Sequence, residues 1–203
     1  MRTHHPHPST PLSRAGVAIY LFGAFVAFAP ASASADTFVS VGEGWHRYSN
    51  DQFGTEFEFP ANVFQIGPTS EKAELRQFLS QDATLEIFAT ENVWGESAEA
   101  LRQGVLEREE GEVTYAPSGR NWFVLSGFRG DQIFYEKYLL RDGVLHAFGI
   151  EFPASAKPTY APIIERIEDS FRVGTPASAA ILKGKPPKLP KARTTADDPL
   201  VIY

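Results

Sequence analysis

Glu107, Glu109, Glu110 and Glu112 are the densest group of titratable side chains in the chain. Paired carboxylates do acid–base work when a substrate sits between them and their environments differ. These four crowd the end of a predicted helix, so they spread around its surface. That suits solvation, and contact with a charged partner, better than catalysis. Beyond residue 7 the only histidines are His46 and His146, and the chain has no cysteine. Zinc draws three or four ligands from His, Cys and carboxylate, so no metal template is met. His146 falls on an apolar strand face and reads as a hydrogen-bonded core or rim residue. His46, beside Trp45, reads as a surface residue.

Ser126 stands in Val-Leu-Ser-Gly-Phe, without the leading glycine of a nucleophile elbow and in a strand–hairpin context. It reads as a small residue in a crowded strand. No calcium loop, phosphate-binding loop or dinucleotide fingerprint occurs, and no cofactor is expected. Trp94 precedes Gly95 in a stretch without periodicity and is the aromatic best placed for exposure and ligand contact. The residues therefore favour a non-catalytic domain that binds a protein partner or a small ligand. One alternative is a hydrolase using Ser126 or a carboxylate with His146. Another is a structural envelope protein without a pocket.

The elements that must position these residues are mostly strands. Phe53, Thr55, Phe57 and Phe59 alternate with Gly54, Glu56 and Glu58, giving one buried and one wet face up to Pro60. Two further strands are predicted over 73–80, with Leu75 and Leu79 on one face, and 83–90, with Leu85 and Ile87 on one face. The polar Ser80-Gln81-Asp82 connection makes them a hairpin. Strands over 122–128, 132–140 and 144–152 follow in succession. Asp142-Gly143 between the last two is a strong hairpin signal, because a type I′ turn needs φ > 0 at both central positions. Both faces of 144–152 are largely apolar, as in a central strand covered on both sides.

A helix is predicted over 97–110, with Ser97 as N-cap and Ala98, Leu101, Val105 and Leu106 as its apolar stripe. A second begins near Thr159, also read as an N-cap, with Pro162 in its first turn. Tyr160, Ile163, Ile164, Ile167 and Phe171 form its core-facing stripe. Strands in runs with only two helices indicate an α+β fold, with an antiparallel sheet packed between helices.

Charge is unevenly spread. Residues 36–173 carry 12 Lys and Arg against 23 Asp and Glu, a net of −11, whereas 174–203 carry five against two, a net of +3. So acidic a domain repels nucleic acid and anionic headgroups, and neither is expected as a partner. The N-terminus holds Arg2 and Arg14, an uncharged apolar run over 15–28, Pro30, and then Ala33-Ser34-Ala35 before Asp36. Fourteen residues at 1.5 Å each reach about 21 Å, short of the ~30 Å hydrocarbon core. A secretory signal over 1–35 is expected, cleaved between Ala35 and Asp36, leaving no stable membrane span. An uncleaved anchor is the alternative. Export without cysteine suggests a bacterial envelope, periplasmic or secreted. A linker over 36–44, a folded domain over 45–173 and a disordered Pro/Lys-rich tail over 174–203 complete the organisation, with the apolar residues 200–203 as a candidate docking peptide.

Trp45-x-x-Tyr48-x-Asn50-x-x-Phe53-Gly54 with Phe57 and Pro60 resembles the opening of many bacterial PsbP-like domains. So do Trp122-Phe-Val-Leu-Ser-Gly127, Phe134-Tyr135-Glu-Lys137 and Phe152-Pro153 ahead of the Tyr160…Ile167…Phe171 helix. This superfamily is named for an extrinsic subunit of photosystem II, and import factors that bind the small GTPase Ran share its fold. The resemblance covers residues 45–173. It implies an antiparallel sheet between helices and an accessory binding role rather than an enzyme. No photosystem-contact residues are matched, so that function does not transfer.

Overall fold

The computed structural model describes residues 36–67 and 75–174. The expected signal segment with Ala35, residues 73 and 74 of the expected 73–80 strand, the tail beyond 174 and the 200–203 peptide lie outside them.

Two antiparallel sheets form around apolar faces. In the smaller sheet, β1 (Thr37–Gly42), β2 (Trp45–Ser49) and β3 (Thr55–Pro60) are joined by β11 (Arg172–Val173) at the far edge. The alternation expected at β3 holds: Thr55, Phe57 and Phe59 are buried while Glu56 and Glu58 are half-exposed. Phe53 falls instead in the preceding turn, where the Asn50 side chain accepts from the Gln52 and Phe53 N–H groups. Residues 36–44 are not a plain linker, because β1 pairs with β2 through a turn whose Gly42, Glu43 and Gly44 all have positive φ. Phe38 holds this strand down by packing its ring on Tyr48 at 5.4 Å between centroids.

The larger sheet contains β4 (Gln65–Ile66), β5 (Leu75–Leu79), β6 (Thr84–Glu91), β7 (Glu112–Tyr115), β8 (Trp122–Arg129), β9 (Gln132–Arg141) and β10 (Val144–Pro153). Its order is β4-β5-β6-β10-β9-β8-β7, which makes β10 a central strand as its two apolar faces required. Asp142 and Gly143 have φ of 52° and 78°, the double positive φ of the predicted turn. In β5 the faces are reversed in importance: Phe78 is fully buried whereas Leu79 is 39% exposed. Phe78 points between the sheets against Phe59, at 4.6 Å between ring centroids, and Leu79 points to the opposite face near the sheet edge, where cover runs out.

Helix α1 (Ala98–Leu106) joins β6 to β7, and α2 (Lys157–Ser170) joins β10 to β11. Ser97 caps α1 as expected, its Oγ accepting from the Ala100 N–H at 3.1 Å. The helix stops at Leu106, four residues before the expected end at Glu110. Thr159 does not cap α2. That helix starts two residues earlier, behind a 3₁₀ turn over Ala154–Ala156, with Pro158 in its first turn where the missing N–H costs nothing. Pro162 therefore sits further inside the helix than expected.

The main core lies between the two sheets and α2, built on Phe57, Phe59, Phe78, Phe148, Ile164 and Ile167. A second core lies on the opposite face of the large sheet, where Phe88, Phe123, Leu125 and Ala147 meet Ala98 and Leu101 of α1. The large sheet is thus packed between helices, as expected. The small second sheet, covering part of one face, was not anticipated.

Candidate functional site

Two features flank α1, one at each end. At its start, β6 runs into a short loop carrying Val93 and Trp94, which are 66% and 63% exposed. The loop is built to hold one shape. The Asn92 side chain accepts from the Glu96 N–H at 3.0 Å and donates to the Glu96 carbonyl at 2.8 Å. The Asn92 N–H donates to the Gly143 carbonyl, and Gly95, at φ 63°, donates back to the Asn92 carbonyl. Gly95 supplies the left-handed residue that this turn needs. Glu91, Glu96 and Asp142 are exposed in or beside the loop, with Arg141 the counter-charge 3.5 Å from Asp142, so an apolar knob stands inside a rim with an acidic excess.

At the far end of α1 a buried polar cluster interrupts the second core. Strand register places Glu86 of β6 opposite Gly149 of β10, and Gly149 opposite Glu136 of β9. Glycine leaves the two carboxylates room on one face. Among the described residues Arg129 of β8 is the one cation there. Its Nη2 donates to Glu136 at 2.7 Å and its Nη1 to Glu151 of β10 at 3.0 Å. Its Nε donates to Glu109 at 2.9 Å, and Nη2 contacts the same carboxylate. The guanidinium also lies over the Phe134 ring, 4.1 Å from its centre. Tyr138 donates to the second oxygen of Glu136, and Gln77 of β5 to one oxygen of Glu86 at 2.6 Å.

Glu86 is 2% exposed, and its Oε2 has no hydrogen-bond partner among the described residues. Burial, together with the charges of Glu136 and Glu151, pushes its carboxyl up to about 7, against the bond from Gln77. Burial opposes the charge of Glu109 as well, but Arg129 and the Gly111 N–H win and hold that carboxyl below the ordinary range. The space between Thr84, Glu86, Arg129, Glu136, Gly149 and Glu151 accommodates a single water-sized body. Among the described residues no three His, Cys, Asp or Glu side chains converge to hold a metal ion.

The four clustered glutamates of the sequence therefore divide. Glu107, Glu110 and Glu112 are exposed, whereas Glu109 turns inward to Arg129. Its closeness to the others in sequence says nothing of this, because its partner lies 20 residues away. Glu86, Glu136 and Glu151 were missed altogether. The signal was available: each stands in a strand at the parity otherwise filled by Phe88, by Phe134 and Tyr138, or by Leu145 and Ala147. A charged residue on an apolar face of a two-sided sheet needs a buried partner.

Ser126 and His146 do not meet. Ser126 is buried, and its Oγ donates to the Phe134 carbonyl at 2.9 Å. His146 is buried with Nδ1 2.8 Å from the Thr55 hydroxyl. Ser126 aligns with Tyr135 and so with Ile150, four residues along β10 from His146 and two strands away. At 3.3–3.4 Å per residue and 4.7–4.9 Å per strand, that separation is roughly 16 Å, far beyond hydrogen-bond reach. Burial, and then the charge of Arg141, lowers the imidazole to about 4. His146 is thus a neutral core residue tying β10 to β3. His46 lies half-buried on β2, its ring edge-on to Phe59 at 6.1 Å. Asp36, expected as the first residue after cleavage, forms an ion pair with Arg76 and accepts from the Tyr48 hydroxyl at 2.9 Å.

No family model and no curated protein matches the chain. Among solved structures the chain is similar to cyanobacterial PsbP (CyanoP) from Synechocystis sp. PCC 6803, at 16% identity and a TM-score of 0.49, over 66% of this chain and 95% of that one. It is also similar to a protein from Bacteroides thetaiotaomicron VPI-5482, at 13% identity and a TM-score of 0.38, over 59% of this chain and 45% of that one. The first is a PsbP, the family that the aromatic and turn pattern resembles. Among the described residues no helix is long and apolar enough to cross a membrane.

Proposed function

We propose that this is a non-catalytic, exported accessory domain of the bacterial envelope that binds a protein partner through the Val93–Trp94 loop. The observation that carries the reading is the pairing of two large apolar side chains, more than 60% exposed, with a loop closed by the Asn92 side chain on both the N–H and the carbonyl of Glu96. Isolated exposed apolar residues are ordinary. A tryptophan held on a prearranged loop is different, because little freedom is lost when it docks and tryptophan is enriched at binding hot spots.

The acidic rim of Glu91, Glu96 and Asp142 selects a partner with an apolar pocket bordered by basic residues. Glu107, Glu110 and Glu112 extend the acidic surface beyond the other end of α1 and would steer association without anchoring it. Ser126 and His146 are both committed to structural hydrogen bonds, which argues against the hydrolase. The test is capture from the native envelope with wild-type protein, Trp94→Ala, and a triple Lys replacement of Glu107, Glu110 and Glu112. Trp94→Ala should abolish capture with an unchanged melting temperature, and the triple variant should weaken it chiefly at low salt. Undiminished capture by Trp94→Ala would reject the loop as the binding face.

A further inference from the structure

We propose that Glu86 is a neutral carboxylic acid in the closed structure, and that its ionisation draws Arg129 away from Glu109 and releases residues 107–111, the strap between α1 and the sheet. The inference stands whether or not Trp94 meets a partner.

Four carboxylates, Glu86, Glu109, Glu136 and Glu151, share one guanidinium, and Arg129 already donates to three of them. The fourth, Glu86, receives only the neutral Gln77 amide; it lines the water-sized space, and its Oε2 has no partner among the described residues. A buried ionised oxygen in that position is costly, and a protonated one is not. Among the described residues no other titratable group offers relief. On its own strand the neighbour on that face is Thr84; β5 presents Gln77, and β10 presents Gly149 and the acidic Glu151. From β9 come Glu136 and, behind it, Tyr138, whose proton is already donated to Glu136. The raised carboxyl of Glu86 agrees with this geometry.

When Glu86 loses its proton, a fourth negative charge appears beside Glu136 and Glu151. Arg129 has one arrangement that answers it without breaking the sheet. Glu136 and Glu151 are fixed on central strands and stay close to Glu86. Glu109 is the one partner held on a connection, between the end of α1 and β7, so it is the contact that can be surrendered. Once released, Glu109 moves into water, which solvates its charge in place of Arg129. Gly111 loses an acceptor in the same step, because its N–H donates to Glu109 at 2.7 Å. The strap loses this side-chain tie to β8.

Hydrogen exchange followed by mass spectrometry on the full chain at pH 6 and pH 8.5, corrected for intrinsic rates, tests the proposal. Peptides covering 107–111 should exchange about tenfold faster at the higher pH in the wild type, while α2 peptides do not change. Glu86→Gln, which mimics the protonated acid, should keep the strap protected at both pH values. Equal protection at both pH values in the wild type, or the same loosening in Glu86→Gln, would overturn the proposal. A measurement free of any variant runs beside it. Carbon-detected NMR titration of the glutamate carboxyls should show one group with a midpoint near 7. If every carboxyl titrates below about pH 5.5, close to the ordinary glutamate range, Glu86 is not the switch.

Discussion

Replacing Glu86 by Gln should reshape the dependence of stability on pH, because two buried groups oppose one another across the same range. Glu86 ionises near 4.5 when unfolded and near 7 when folded. Between those values the folded protein holds a proton that the unfolded chain has lost, so stability falls as pH rises and reaches a floor above 7. The full loss corresponds to about 3 kcal/mol at ~1.4 kcal/mol per pH unit. His146 works in the other direction. Its imidazole protonates near 6.5 when unfolded and only near 4 when folded, so stability rises with pH between them, again by about 3 kcal/mol. From roughly 4.5 to 6.5 the two slopes cancel, and these groups leave the wild-type profile nearly level. In Glu86→Gln only the His146 slope remains. The variant should match the wild type near pH 4.5 and gain progressively, to about 3 kcal/mol at pH 8, or roughly 10 °C in melting temperature. Urea unfolding at half-unit pH intervals reads this directly. A Glu86→Gln curve parallel to the wild type throughout would show that Glu86 is ionised in the fold, and the reasoning would fail.

Other substitutions probe the scaffold. Ile167→Ala should cost roughly 2–5 kcal/mol in chemical denaturation, since Ile167 is fully buried in the main core, whereas Ser97→Ala should cost only about 1 kcal/mol as a lost cap. A negligible effect at Ile167 would mean that α2 is not docked. Gly127→Ala should break the β7–β8 pairing, because an added Cβ would lie 1.8 Å from the Glu112 carbonyl oxygen. Loss of amide protection confined to 112–115 and their β8 partners is expected, and an unperturbed spectrum would contradict that close approach.

Much of this architecture could be read from local patterns. Thr55, Phe57 and Phe59 announced β3, Asp142-Gly143 announced its turn, and the stripe from Tyr160 to Phe171 announced the buried face of α2. These signals work because burial at a fixed period and backbone φ are local properties. The small sheet was harder. β1 has only Phe38 and Val41 half-buried, and β11 is two residues long, so neither carries a periodic signature. The polar cluster was least legible, because strand register alone brings Glu86, Glu136 and Glu151 together, and Arg129 alone recruits Glu109. Trp94 was found from sequence through its aperiodic, glycine-flanked setting. The Asn92 clasp that makes its loop rigid reaches from a side chain to the backbone of Glu96 and leaves no periodic pattern.

The central claim, that the Val93–Trp94 loop is the surface at which this domain meets its partner, is tested most directly by site-specific photocrosslinking in the intact envelope. A photoreactive residue at position 94 should yield a discrete adduct with one protein. The same residue at Val39, which is 52% exposed on β1, serves as the control and should yield none. Adducts at position 94 should fade as salt is raised, in keeping with the acidic rim. No adduct at 94, or the same products at 94 and 39, would contradict the account.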